Sequence, residues 1–515
     1  MSFNSILFKK KKELLEERPL KEPEFFTDLN LNQIVEAVIA GREYYNLKNF
    51  FYIPLNNIEE IEYRQEIMQE LEENERLIKI IKEFSKKIEE MRRYLELSKK
   101  LQYKYNKEGW FLEAVNIYCD AVKHLYDELS SIDLKSKGII SFRQYLLEYI
   151  ISPGFTSLLS ETKKLKSELS GVKYSLLINI NSVTVCKYTG ETDYSTEIES
   201  SFSRFKQREV KDYTQKYNSS TDINRIEAEI LNRVAKLFPQ IFSSLSNYCV
   251  NNRKYPDEKI LIFEREIQFY IAWLEYTEKF KSAGLKMCYP VVLENSKEVY
   301  GYEVFDLALA GNLIDRNSGI VCNDFHLKDK ERIFLVSGPN QGGKTTFART
   351  FGQMHYLSKL GCSIPGRKAQ MFLFDRIFTH FEKKEDIKNL RGKLNDDLVR
   401  IKEILDKSTP ESIIIMNEIF NSTTAKDAIF LSGKILEEII KKDSLCVVVT
   451  FIVELSSMSD KIVSMVATVN SKNPSVRTYK IERRQADGIS YAISIAEKYH
   501  LTYEQLKKRL EERLN

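Results

Sequence analysis

One ten-residue run constrains this chain more than any other: Ser337-Gly338-Pro339-Asn340-Gln341-Gly342-Gly343-Lys344-Thr345-Thr346. The apolar residues Ile333-Phe334-Leu335-Val336 precede it, and a helix-compatible run follows from Phe347. Strand, glycine loop and helix form the context in which G-x-x-x-x-G-K-[ST] is a phosphate-binding loop. Gly338, Gly343, Lys344 and Thr345 fill its fixed positions. Glycines let successive backbone N–H groups curl around phosphate oxygens, and the helix that follows turns its positive end to the same anion. Lys344 is expected to reach the β- and γ-phosphates and Thr345 to ligate Mg²⁺. A tight strand-to-helix turn without a ligand is the plain alternative. The agreement of four positions with both flanking elements argues against it.

A second motif follows at Ser412-Ile413-Ile414-Ile415-Met416-Asn417-Glu418. An apolar strand ending in two polar residues suits nucleotide hydrolysis: the first residue serves Mg²⁺ and the second the attacking water. The first is usually Asp. Here Asn417 keeps an oxygen but lacks the charge, so weaker Mg²⁺ binding is expected. Glu418 is the candidate to orient or deprotonate water. A core strand that merely ends in polar residues is the bland reading, and the neighbouring glycine loop weakens it.

Around these motifs the chain has two textures. Its 515 residues suggest roughly two to four domains. Residues 1–27 are charged, carry Pro19 and Pro23, and read as a loosely held arm. Residues 28–285 read as mostly long amphipathic helices, with Asp28 a candidate cap. Residues 56–105 contain no Gly or Pro, and Ile80, Ile81, Phe84, Ile88, Met91 and Leu95 fall at helical spacing. A small β insertion is expected at about 174–188, a polar connection at 190–221, and a helix break near Pro239. From 286 to 515, short apolar runs alternate with helical ones, the pattern of an α/β domain, and a charged helix is expected over 492–514.

Net charge is +4 with 30% charged residues, which by itself demands neither nucleic acid nor membrane. Seven scattered cysteines without a C-x-x-C pair read as free thiols, and no apolar run approaches a membrane span. A cytoplasmic protein is the expectation.

The residues from about 330 to 500 resemble the ATPase domain of the MutS mismatch-repair family. Gly338 to Thr346 is similar to its G-P-N-M-G-G-K-S-T, and Asp375-Arg376-Ile377-Phe378-Thr379 matches its D-R-I-F-T. Cys362-Ser363-Ile364-Pro365-Gly366, Asn417-Glu418-Ile419 with Ser422-Thr423-Thr424, and Gly488 to Tyr491 resemble further family segments. The helical half is similar in kind to the family's core and lever helices. The resemblance implies an α/β P-loop NTPase of ABC type behind a helical core and lever domain. It implies an ATPase using ATP and Mg²⁺, with Gly338 through Thr346 on the nucleotide, Thr345 and Asn417 on the metal, and Lys344 and Glu418 in catalysis. Phe325 or Val321 would stack on adenine. It also implies a homodimer with composite sites that gates a clamp on DNA, with the β insertion a candidate DNA contact.

Four departures qualify this. No extra N-terminal mismatch-reading domain is expected, and no Phe-x-Glu wedge stands in the first hundred residues. Arg391-Gly392-Lys393-Leu394 stands where the family has R-S-T-F, so Gly392 replaces the serine that meets the partner's γ-phosphate, and Arg391 or Lys393 is left to contribute charge. Phe451 stands where the family has a phosphate-sensing histidine. No nuclease domain is expected after the terminal helix. Slow turnover is therefore expected. The competing reading is a nucleotide-gated protein-interaction ATPase without DNA activity. His355 and His380 are minor candidates near the site, His355 more simply a packing residue.

Overall fold

The computed structural model describes residues 3–9, 20–179, 182–191, 225–316, 318–382, 392–470 and 476–485, with 502–503, 505–507 and 509. The chain divides into two compact units. One comprises Met1–Phe3, Asn74–Lys135 and Ile139–Glu264; the other comprises Asn4–Glu73, Ser136–Gly138 and Arg265–Asn515.

The first unit is helical. Its helices Glu75–Lys100 and Lys104–Ser130 pack side by side. Ile80, Ile81, Phe84, Ile88 and Met91 are buried, as their 3-4 spacing requires. Phe142 stacks on Phe263 with centroids 3.5 Å apart. The helical stretch 56–105 is divided. One helix ends at Glu73 and the next begins at Glu75, where the Asn74 side chain accepts a hydrogen bond from Leu77 N. The residues supply no Gly or Pro to mark the break, but Asn competes for backbone donors and so serves as a cap. The break expected near Pro239 separates helices Arg225–Leu237 and Pro239–Asn251. Strands β1 (Tyr174–Asn179) and β2 (Ser182–Lys187) form the antiparallel hairpin expected there. The connection at 190–221 lies almost wholly outside the described residues.

The second unit is α/β. Its short strands β3 (Met287–Cys288) and β8 (Ile364–Pro365) pair with each other. Strands β4 (Val291–Leu293), β5 (Val299–Val304), β6 (Asn323–Leu327) and β9 (Lys368–Phe372) form a sheet in the order β4-β9-β5-β6. The main sheet contains β7 (Ile333–Ser337), β10 (Ile377–His380), β11 (Ile413–Asn417), β12 (Leu445–Val449), β13 (Ile462–Val469) and β14 (Arg477–Arg483), ordered β10-β11-β12-β7-β13-β14. It is parallel except for β14. β7 and β12 are buried along their whole length, which explains their unbroken apolar sequences. The terminal helix expected over 492–514 lies largely outside the described residues.

Residues 4–73 belong to this α/β unit, although the composition placed residues 28–73 with the helices before the boundary at 285. The reason is packing. A Cβ on Gly352, in the helix Lys344–Lys359, would lie 2.7 Å from both Leu29 and Ile415. Leu55 N donates to Lys359 O at 3.0 Å. Nor is the first segment a loose arm where it is described. Phe3, Ile6, Leu7 and Phe8 are buried. Glu266 accepts from Ser5 Oγ and Ile6 N, Tyr270 Oη donates to Ile6 O at 2.5 Å, and Arg64 Nε donates to Leu7 O at 2.8 Å. Asp28 does not cap a helix. Its carboxylate accepts from Thr379 Oγ1 at 2.6 Å, tying the segment to β10.

Candidate nucleotide site

β7 ends at Ser337 in the middle of the main sheet, and the glycine loop turns from it into the helix Lys344–Lys359. The turn needs glycine at two positions. Gly338 has φ +118° and Gly343 φ +93°, both left-handed. A Cβ on Gly338 would lie 2.8 Å from Ala467 O of β13, and one on Gly342 3.0 Å from Pro339 O. The loop is thus folded tightly against β13. Gln341 takes φ +59° without being glycine, a backbone cost characteristic of functional turns.

Lys344 opens the helix and folds back over the loop. Its Nζ donates to Gly338 O at 2.9 Å and Pro339 O at 3.3 Å. Nζ lies 4.0 Å from Glu418 Oε1 and 3.8 Å from the centroid of the Phe451 ring. Burial pulls its pKa down from the ordinary lysine range to about 8, against the opposing pull of Glu418. A buried, partly desolvated cation at a glycine loop is suited to an anion.

Thr345 Oγ1 donates to Asn417 Oδ1 at 2.8 Å. β11 lies two strands from β7, with β12 between them, and carries Asn417 to its C-terminal end. Glu418 follows in the left-handed region at φ +54°, its N–H bonded to Val449 O at 2.9 Å. Asn421 Nδ2 donates to its carboxylate at 3.2 Å. The structure thus brings together Lys344, Thr345, Asn417 and Glu418. Thr345 and Asn417 offer two neutral oxygens, a set that fits a Mg²⁺ ion whose remaining ligands are phosphates and water. Among the described residues, no three His, Cys, Asp or Glu side chains are grouped to hold a metal.

Other candidates fall elsewhere. Phe325 is buried among Phe334, Phe347 and Phe351, so its ring is core and does not face a base; for Phe325 the expectation of stacking fails because the apolar side of β6 turns inward, whereas Val321 is exposed. His355 is buried on Phe351, with Nδ1 2.8 Å from Phe351 O, a packing residue. His380 is buried at the end of β10 with Nε2 3.2 Å from Asp397 Oδ1. Gly392 caps the helix Lys393–Lys407, and Lys393 pairs with Glu382. Arg391 lies outside the described residues. The sequence reading missed Arg477, whose Nε donates to Asn340 O of the loop at 3.1 Å. No local motif marks it.

A central parallel strand running into a glycine loop, with a polar strand end beside it, defines a P-loop NTPase-type domain. Residues 334–512 match the family model for MutS domain V. Similar proteins include three named DNA mismatch repair protein MutS. That of Thermotoga sp. (strain RQ2) is 26% identical over 213 residues, 38% of this chain and 27% of the relative. That of Thermotoga neapolitana is 30% identical over 138 residues, 27% of this chain and 17% of the relative. That of Fervidobacterium nodosum is 24% identical over 260 residues, 50% of this chain and 29% of the relative. The match therefore spans less than a third of each relative's length. Residues 334–512 thus carry a domain similar to MutS domain V, and the likeness to MutS-family proteins is carried by this domain.

Proposed function

We propose that this chain binds ATP with Mg²⁺ and hydrolyses it slowly. The loop amides from Gly338 to Thr346 and the Lys344 ammonium hold the phosphates, Thr345 and Asn417 hold the metal ion, and Glu418 positions water. The bound ion would neutralise phosphate charge as the bond to the γ-phosphate breaks. The observation that carries this reading is the convergence of Thr345 Oγ1 on Asn417 Oδ1 at 2.8 Å and of Lys344 Nζ on Glu418 at 4.0 Å.

By kinship, two copies pair in an ABC-type arrangement, each completing the other's site, with Arg391 or Lys393 giving charge across the interface. ATP then gates a clamp on DNA. Nucleotide titration and filter binding to homoduplex, mismatched and branched DNA test this in the wild type and Lys344→Ala. ATP-dependent DNA binding lost in the variant supports the clamp. Nucleotide binding that survives Lys344→Ala sinks the assignment of the loop.

One observation favours a second reading, an ATP-gated protein contact. The hairpin β1–β2 exposes Leu176, Leu177 and Ile178, side chains with no charge to offer a phosphate backbone. ATP binding without DNA binding at low salt selects this alternative.

A further inference from the structure

The phosphate loop has a neighbour that its own motif does not specify. β14 is the antiparallel edge strand on β13, and β13 carries Ala467, the residue against which Gly338 and Gly342 are packed. The start of β14 is thereby laid beside the loop. A Cβ on Gly343 would lie 3.8 Å from Tyr479 O. The strand start is held there from several sides. The pairing register shifts between Ala467 and Val469, and Tyr479 takes φ +59°. The Thr468 and Thr478 hydroxyls lie 2.5 Å apart, and Asn323 Nδ2 donates to Tyr479 O at 3.2 Å. This irregularity sets Arg477 against the loop, where its Nε meets Asn340 O at 3.1 Å.

Two cations thus converge on one glycine loop. The charge of Arg477 is felt at Lys344, where it helps to hold the ammonium below its ordinary range. Among the described residues Lys344 pairs with the carboxylate of Glu418, at 4.0 Å. The guanidinium, tied through Nε to a loop carbonyl, keeps a permanent positive charge beside the loop.

We propose that Arg477 is a polyphosphate contact of this site, giving bound nucleotide a second cation from its own chain beside Lys344. This rests on the nucleotide reading above.

The test is calorimetric titration with AMP, ADP and ATP of the wild type, Arg477→Ala, Arg477→Lys and Lys344→Ala, at low and high salt. For Arg477→Ala the expected result is a loss of ATP affinity of about tenfold or more, a smaller loss for ADP and little for AMP. Arg477→Lys recovers most of it, because charge is what matters, and the gap between wild type and Arg477→Ala narrows as salt rises. Equal losses for all three nucleotides without rescue by lysine would assign Arg477 to shaping the loop and overturn the proposal. So would unchanged ATP affinity in Arg477→Ala while Lys344→Ala abolishes binding, an outcome that leaves the nucleotide site standing. A wild type that binds no nucleotide removes both. Melting temperatures check that each variant is folded.

Discussion

The ammonium of Lys344 sits 3.8 Å from the centre of the Phe451 ring. The ring is 46% exposed, so one face meets water and the other meets a buried cation. Such a pair is worth roughly 0.5–2 kcal/mol, more as it is desolvated. The ring and the Gly338 and Pro339 carbonyls together hold the lysine that phosphates would claim. Phe451→Ala should therefore tighten ATP binding, by about two- to tenfold. Weaker binding in a titration would show that the ring stays on the lysine in the complex.

Glu418, proposed above to position water, sits at a backbone φ of +54°. Glu418→Gln keeps its size and its hydrogen-bonding reach but removes the base. ATP turnover should fall about a hundredfold or more while ATP affinity changes little. Turnover equal to wild type in a steady-state phosphate assay would remove Glu418 from the mechanism.

Asn417 already receives a hydrogen bond from Thr345, and a carboxylate would accept the same one. Asn417→Asp should lower the Mg²⁺ concentration for half-maximal turnover by about tenfold, since it adds a charge beside a divalent ion. A Mg²⁺ titration of turnover that superimposes on wild type would place the metal elsewhere.

How far the residues alone disclosed this site depended on distance along the chain. The glycine loop was legible because every determinant lies within ten residues, and β11 because an apolar strand ends at Asn417-Glu418. Phe325 was misassigned since an aromatic residue near a nucleotide motif reads the same whether it faces a base or the core. Ile6, Leu7 and Phe8 looked like a tail beside lysines, because the residues that hold them, Arg64, Glu266 and Tyr270, lie far along the chain. Arg477 meets the loop only through strand order, which no local pattern encodes.

Two buried histidines make the second unit acid-sensitive. Burial holds His355 and His380 at a pKa of about 4, below the ordinary 6.5. As pH falls from 6.5, the unfolded chain takes up protons first. Stability therefore drops between pH 6.5 and 4, by up to about 3 kcal/mol per histidine. Glu266, raised by burial to about 7, acts in the opposite sense between 7 and 4.5. His355→Leu should flatten the loss of urea midpoint between pH 7 and 5. An unchanged slope would show that His355 is not the titrating group.

Glycines separate two kinds of site. Gly361 has φ +74°, and a Cβ there would lie 2.6 Å from Arg64 Cβ, so Gly361→Ala should destabilise by about 3 kcal/mol. Gly109 lies inside the helix Lys104–Ser130 with open space around it, so Gly109→Ala should stabilise by about 1 kcal/mol. Denaturant midpoints read both, and the same sign for the two would contradict the packing described.

Arg64 is buried with its Nη1 on Leu360 O, at the end of the phosphate-loop helix, and its Nε on Leu7 O. The α/β unit is thus closed by residues made before the helical unit and by residues made after it. On a ribosome, the segment Asn4–Glu73 must wait, its apolar side chains uncovered, until the chain beyond Arg265 emerges. The helical unit, complete at Glu264, is free to fold in that interval. A gene fragment starting at residue 286 would give a product with its phosphate loop intact and part of its core missing. Its insolubility would then be a fact about where the cut was made, and would carry no information about whether the phosphate loop is sound.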